Sequence, residues 1–265
     1  MNDSVLLVIH EGIATLTLNR PQQGNAIDLP MAQALLKAVI ACDQDSNVRS
    51  VVLTGSGKLF CAGGDLDAFV AAGDAIGGYL SELAGTLHLA VSRLMRMGKP
   101  LVVLVNGPAA GAGMSLSLLG DIVVAAERAS FTPAYGSIGL SPDGGLSWLL
   151  PRLVGLRRAQ EIILLNQPLS AQQALADGLV TRVVDGARVQ MEGLELAHGL
   201  AAMNVAALGQ VRRLLLETHA ASLEAQLEQE ARSISTLASG SFVREKVAAF
   251  VEQRIHKNNK ESSHG

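Results

Sequence analysis

Charge is what this chain of 265 residues has least of: 17% of its side chains are Asp, Glu, Lys or Arg, while 49% are apolar. An average soluble domain carries about 25% charged residues. Too few charges to cover a monomer point to a homo-oligomer with surface buried between subunits. An excess of either sign is also lacking, since 24 acidic and 21 basic side chains leave a net charge of −3. Without a basic field there is nothing to gather nucleic acid or an anionic membrane. Cysteine is nearly absent, and Cys42 and Cys61 form no metal or redox motif. Two free thiols suit a reducing cytosol. The opening MNDSVLLVIHEG lacks the basic start and long apolar run of a signal peptide. The most apolar stretch, 101–126, is interrupted by Asn106, Pro108, four glycines and Asp121, which excludes a membrane span. The expectation is a soluble, cytoplasmic protein.

What is present is a repeated order of elements. Residues 5–19 make two β-rich runs joined at Glu11-Gly12, a hairpin signal. Leu29 to Asp43 has helical apolar spacing, Ser50 to Thr54 (SVVLT) reads as a buried strand, and Tyr79 to Met97 as a second helix. Leu101 to Val105 (LVVLV) is another buried strand, followed by a small-residue helix into Asp121 and a strand over Ile122 to Ala125. Strand, glycine loop, helix and strand in succession predict an α/β fold with parallel strands covered on both faces. From Pro142 onward the pattern is mostly helical, with segments 191–218 and 222–256 rich in Ala, Leu, Glu and Gln.

Two loops each follow a strand and precede a helix: Phe60-Cys-Ala-Gly-Gly-Asp65, and Asn106-Gly-Pro-Ala-Ala-Gly-Ala-Gly113. Neither has a Walker lysine or a complete G-x-G-x-x-G, so a phosphate cradle is disfavoured. Taken singly, each reads as a tight strand–helix turn. Taken together, at the ends of adjacent strands, they can present two convergent N–H donors, the geometry of an oxyanion hole.

These loops carry a resemblance. Leu18-Asn-Arg-Pro21 with Asn25-Ala26, Gly57 to Leu66, Lys99-Pro100, Asn106 to Gly113 and Gly120-Asp121 resemble the crotonase (enoyl-CoA hydratase/isomerase) superfamily. Phe131 to Leu140, Leu150 to Gly155, Ala174 to Val180 and Ala248 to Arg254 extend it in order along nearly the whole chain. The resemblance implies a crotonase-like ββα spiral core over 1–190. It also implies a C-terminal helical region over 191–256 that forms trimers or dimers of trimers; residues 257–265 read as a disordered tail. The substrate implied is an acyl-CoA thioester, with no separate cofactor and no metal. The oxyanion donors would be the amides of Gly64 and Ala112. The CoA and acyl groups would lie along Ile27, Ala62, Gly63, Asp65, Leu66, Ala110 and Gly111, with Phe250 reaching a neighbouring subunit's CoA. Apolar Phe69, Val70, Leu80 and Leu83 are candidates for an acyl pocket within 66–84, a stretch whose glycines and alanines read as mobile.

The chemistry turns on carboxylates. Hydratases of this family use two glutamates, and this sequence has Ser115 and Tyr135 where they belong. Asp143 is left. Locally, Ser141-Pro142-Asp143 reads as N-cap, N1 and first-turn acid of a helix. By resemblance, Asp143 is the acid/base of enoyl-CoA isomerases of the phenylacetate-pathway type, where one residue carries a proton between α- and γ-carbons. The alternatives are a hydratase-like lyase, a 4-chlorobenzoyl-CoA dehalogenase-like hydrolase with Asp143 as nucleophile and His88 as base, and a catalytically silent acyl-CoA binder. Cys61, with no group beside it to activate the thiol, reads as packing.

Overall fold

Glu11 and Gly12 both take left-handed backbone, with φ of 48° and 79°, as a two-residue primed turn requires. They fold β1 (Val5–His10) onto β2 (Ile13–Leu18) as an antiparallel pair. Asp28 then starts α1 (Leu29–Gln44): its carboxylate accepts the Met31 amide, and Pro30 stands in the first turn. The computed structural model to which these elements belong describes residues 3–218 and 220–262.

The chain continues through β3 (Ser50–Gly55), α2 (Leu66–Ala72), α3 (Ile76–Arg96), β4 (Leu101–Val105), β5 (Ala109–Ala110), α4 (Ala112–Ser117), β6 (Ile122–Ala126) and β7 (Ser130–Thr132). It then forms α5 (Leu146–Val154), α6 (Leu156–Leu165), β8 (Leu169–Ser170), α7 (Ala171–Ala176), β9 (Arg182–Val184) and α8 (Val189–Ala202). The main sheet has the order β1-β2-β3-β4-β6-β9, and every pairing after the hairpin is parallel. A small second sheet, β5-β7-β8, lies over the carboxyl ends of β3 and β4, tied there by the bridge Cys61↔Ala109.

Strand alternation sorts the core. Val51, Leu53, Leu101, Val103 and Val105 face a cluster with α1 and α3, while Val52, Val102, Leu104 and Val124 face α8. Both faces are therefore dry, as continuous runs such as LVVLV require. Two cations close helix ends against this sheet. Lys99 Nζ donates to the carbonyls of Cys42, Asp43 and Asp45 at the end of α1, and Arg49 donates to Ala201 and Met203 at the end of α8.

The stretch 66–84 is helical, in α2 and α3 joined by a short turn. Two compact units result, Met1–Val205 and Ala206–Gly265. Helix α8 packs on β3 and β4 inside the first unit. The second unit holds α9 (Val205–Glu217) from its second residue on, α10 (Leu223–Ala238) and α11 (Ser241–Ser262). Helix α11 carries helical backbone through 257–262 of the expected disordered tail; residues 263–265 lie outside the described residues. No helix among the described residues is long and apolar enough to cross a membrane.

Candidate active site

Asn25 locks the first glycine loop in place. It is fully buried with φ 58°, and its Nδ2 donates to the carbonyls of Ser56, Leu59 and Phe60 while Oδ1 accepts the Arg20 amide. Three carbonyl acceptors converging on one side-chain amide hold a turn that has little regular pairing of its own. The second loop is laid against the first: Phe60 N donates to Pro108 O, and Ala110 N donates to Cys61 O. Contact is so close that a Cβ on Gly113 would stand 2.2 Å from Cys61 O. Glycine is required there by backbone approach.

Between these loops and α3 opens a cavity of about 520 Å³. Gly64 and Ala112 both line it. Among the described residues neither amide donates to a protein acceptor, whereas their neighbours do: Asp65 N bonds Ile27 O, and Gly111 N bonds Thr132 O. Ala112 is the first residue of α4, so its N–H belongs to the unpaired first turn of a helix. The walls are apolar, with Leu80, Leu83 and Leu87 from α3, Phe69 from α2, and Ile138 and Leu140 opposite.

Asp143 is the one carboxylate among the lining residues. It is not a helix-start residue: α5 begins at Leu146 with Gly145 as its N-cap. Gly144 and Gly145 are both left-handed, with φ of 59° and 85°, and they turn the chain between Asp143 and the helix. A Cβ on Gly144 would come within 2.8 Å of Ser115 Cβ. The pair is thus set by packing against α4, which the local cap pattern could not reveal.

The Tyr135 hydroxyl donates to Asp143 Oδ1 at 2.6 Å. Ser115 Oγ lies 3.0 Å from that hydroxyl and donates to the Asp143 carbonyl at 2.9 Å. Burial, followed by the Asp143 charge beside it, holds the Tyr135 phenol far above its usual range. It remains a protonated donor. His88 stands behind this group and does not line the cavity; its Nε2 accepts the Gly144 amide at 3.1 Å. One carboxylate, oriented by a phenol and facing a cavity with two unpaired amides, can remove and return a proton beside a carbonyl held as an oxyanion.

The other sequence candidates divide. Ile27, Ala62, Gly63, Leu66, Gly111 and the acyl candidates Phe69, Leu80 and Leu83 line the cavity. Asp65 does not. Its carboxylate caps α2 by accepting from Asp67 N and Ala68 N, and it pairs with Arg20 at 2.8 Å, so it orders the loop's exit. Ala110 pairs in the small sheet, and Val70 points to solvent at 80% exposure. Phe250 sits on α11 in the second unit, 69% exposed. Cys61 is fully buried and its thiol is pushed up to about 12 by desolvation. The sequence reading missed Gly77, Ser81, Ala84 and Leu87, which line the cavity from α3. Their i, i+3, i+4, i+7 spacing with Leu80 is a stripe that could have exposed them.

A family model described as enoyl-CoA hydratase/isomerase matches residues 8–260. The 1,2-epoxyphenylacetyl-CoA isomerase of Escherichia coli is 38% identical over 96% of this chain and 97% of its own. A 4-chlorobenzoyl coenzyme A dehalogenase of an Arthrobacter species is 36% identical over 91% of this chain and 87% of its own. Among solved structures, an enoyl-CoA hydratase from Polaromonas sp. JS666 superposes with a TM-score of 0.90 at 33% identity, covering 94% of this chain and 97% of that one.

Proposed function

This chain belongs to the enoyl-CoA hydratase/isomerase family, and from that premise we propose that it is an enoyl-CoA double-bond isomerase. Asp143 takes the α-proton of a 3-enoyl-CoA, the amides of Gly64 and Ala112 hold the enolate oxygen, and Asp143 returns the proton at the γ-carbon. Coenzyme A arrives as part of the substrate. The observation that carries this reading is the presence of a single lining carboxylate, Asp143, bonded by Tyr135 and sharing its cavity with both amides. A 1,3-proton shift needs one group that accepts and returns the same proton. Water addition in this family uses two glutamates, and Ser115 and Tyr135 stand at those positions.

The dehalogenase relative supports a second reading, in which Asp143 attacks an aromatic ring and His88 is the base. His88 Nε2 is occupied by the Gly144 amide and lies off the cavity wall, which favours the isomerase. The same reading includes trimers assembled through the C-terminal helices. Leu215, Leu223, Ile234 and Val247 are 57–70% exposed in the single chain, and light scattering of the purified protein tests that assembly.

The deciding experiment is conversion of a 3-enoyl-CoA to the conjugated 2-enoyl isomer, followed by ultraviolet absorbance. Wild type turns over, and Asp143→Asn loses at least ~100-fold while still binding CoA thioester. An inert wild type, or an equally active variant, overturns the assignment.

A further inference from the structure

Tyr135 needs something to hold its own backbone, because its neighbour is strained. Ala134 has φ 64° and ψ −20°, a left-handed conformation that a residue with a Cβ adopts only when its surroundings enforce it. The enforcing group is Asn166. It ends α6 in the left-handed region, φ 53° and ψ 32°, where asparagine is one of few tolerated residues. Its Oδ1 accepts the Ala134 amide at 2.7 Å, and its Nδ2 donates to Ser137 Oγ at 2.6 Å.

Both ends of the turn that presents Tyr135 are therefore gripped by one amide. Within the turn the remaining bonds are local, Ser137 N to Ala134 O and Leu140 N to Tyr135 O. At the far side the Tyr135 hydroxyl reaches Asp143 Oδ1. Asp143 precedes α5, which packs against α6, and Asn166 ends α6, so the two residues flank one pair of packed helices. Phenol and carboxylate are thus both tied to that pair of helices, the phenol through Asn166.

We propose that Asn166 is a positioning residue for proton transfer: it holds Tyr135 on Asp143 and acts on no substrate itself. The proposal rests on the isomerase reading for its kinetic consequence, and on geometry alone for its structural one. Asn166→Gly keeps the left-handed helix end and deletes only the side chain. Asn166→Asp keeps an acceptor for Ala134 N and lets Ser137 donate in return.

In the full-length protein, Asn166→Gly is expected to lower kcat ~10-fold with KM within about twofold, and Asn166→Asp to restore most of the loss. The chain has two tyrosines, so ¹³Cζ-tyrosine labelling gives two nuclear magnetic resonance signals, assigned by Tyr135→Phe. Asn166→Gly should move the Tyr135 signal and leave that of Tyr79. An unmoved Tyr135 signal, or an unchanged kcat in an active enzyme, overturns the proposal. If wild type proves inert towards 3-enoyl-CoA, the isomerase reading fails and the Tyr135 signal alone decides the clamp.

Discussion

The phenol of Tyr135 donates a hydrogen bond of 2.6 Å to Oδ1 of Asp143, and that bond aims the carboxylate. Tyr135→Phe removes it while filling the same space. Loss of aim should lower kcat ~10-fold. Steady-state kinetics with a 3-enoyl-CoA measure the loss. A kcat equal to that of wild type would make Tyr135 a wall residue.

Ser115 cannot be turned into a hydratase glutamate. Its side chain is 1% exposed, its Oγ is bonded on two sides, and the Gly144 backbone sits against its Cβ. Ser115→Glu should destabilise the fold by at least ~3 kcal/mol, because a carboxylate is buried there without a partner. It should add no water to a 2-enoyl-CoA. Urea unfolding with an absorbance assay for hydration tests this, and a stable, hydrating variant would refute the packing described.

His88 discriminates between the two enzymatic readings. If it serves as acceptor for the buried Gly144 amide, His88→Gln, which keeps an acceptor, should stay within about threefold of wild type. His88→Leu leaves that amide unpaired, at a cost of about 1–3 kcal/mol, and should lose ~10-fold in kcat. Equal inactivity of both variants, with turnover of 4-chlorobenzoyl-CoA by wild type, would instead make the imidazole a base.

Cys61 should make stability pH-dependent. Desolvation pushes its thiol up to about 12 in the fold, while the unfolded thiol titrates near 8.5. The folded state therefore keeps a proton that the unfolded state releases. Its contribution is complete below about pH 8.5 and is lost as pH rises towards 12, at up to ~1.4 kcal/mol per pH unit. Urea midpoints of wild type should fall between pH 8 and pH 10 more steeply than those of Cys61→Ala. Parallel slopes would mean that the thiol is solvated.

Much of the fold was legible because its signals are local. SVVLT and LVVLV are runs that only a strand buried on both faces explains, and Glu11-Gly12 is a turn defined by its own two residues. The site was legible in part. Gly64, Ala112, Tyr135, Ser115 and Asp143 were all in view, and the structure gathers four of them around one cavity, with buried Ser115 bonded to Tyr135 and Asp143. The ion pair of Asp65 with Arg20 was not legible, since only the fold brings that guanidinium to it. Asn166 was invisible, since nothing near it in sequence says that its amide meets Ala134, 32 residues earlier.

Asp143 marks the division most sharply. Residue order alone determined the sheet and the paired glycine loops, because strand burial and backbone access are properties of short segments; the loss of both hydratase glutamates was read through the family resemblance. The same order made Ser141-Pro142-Asp143 an acceptable helix start. Tertiary structure decided otherwise: Ser115 packs on Gly144, His88 accepts its amide, and the helix is delayed to Leu146. The carboxylate is left against the cavity, bonded by Tyr135, for the physical reason that steric and hydrogen-bond demands from two distant helices outweigh the roughly 1 kcal/mol of a local cap.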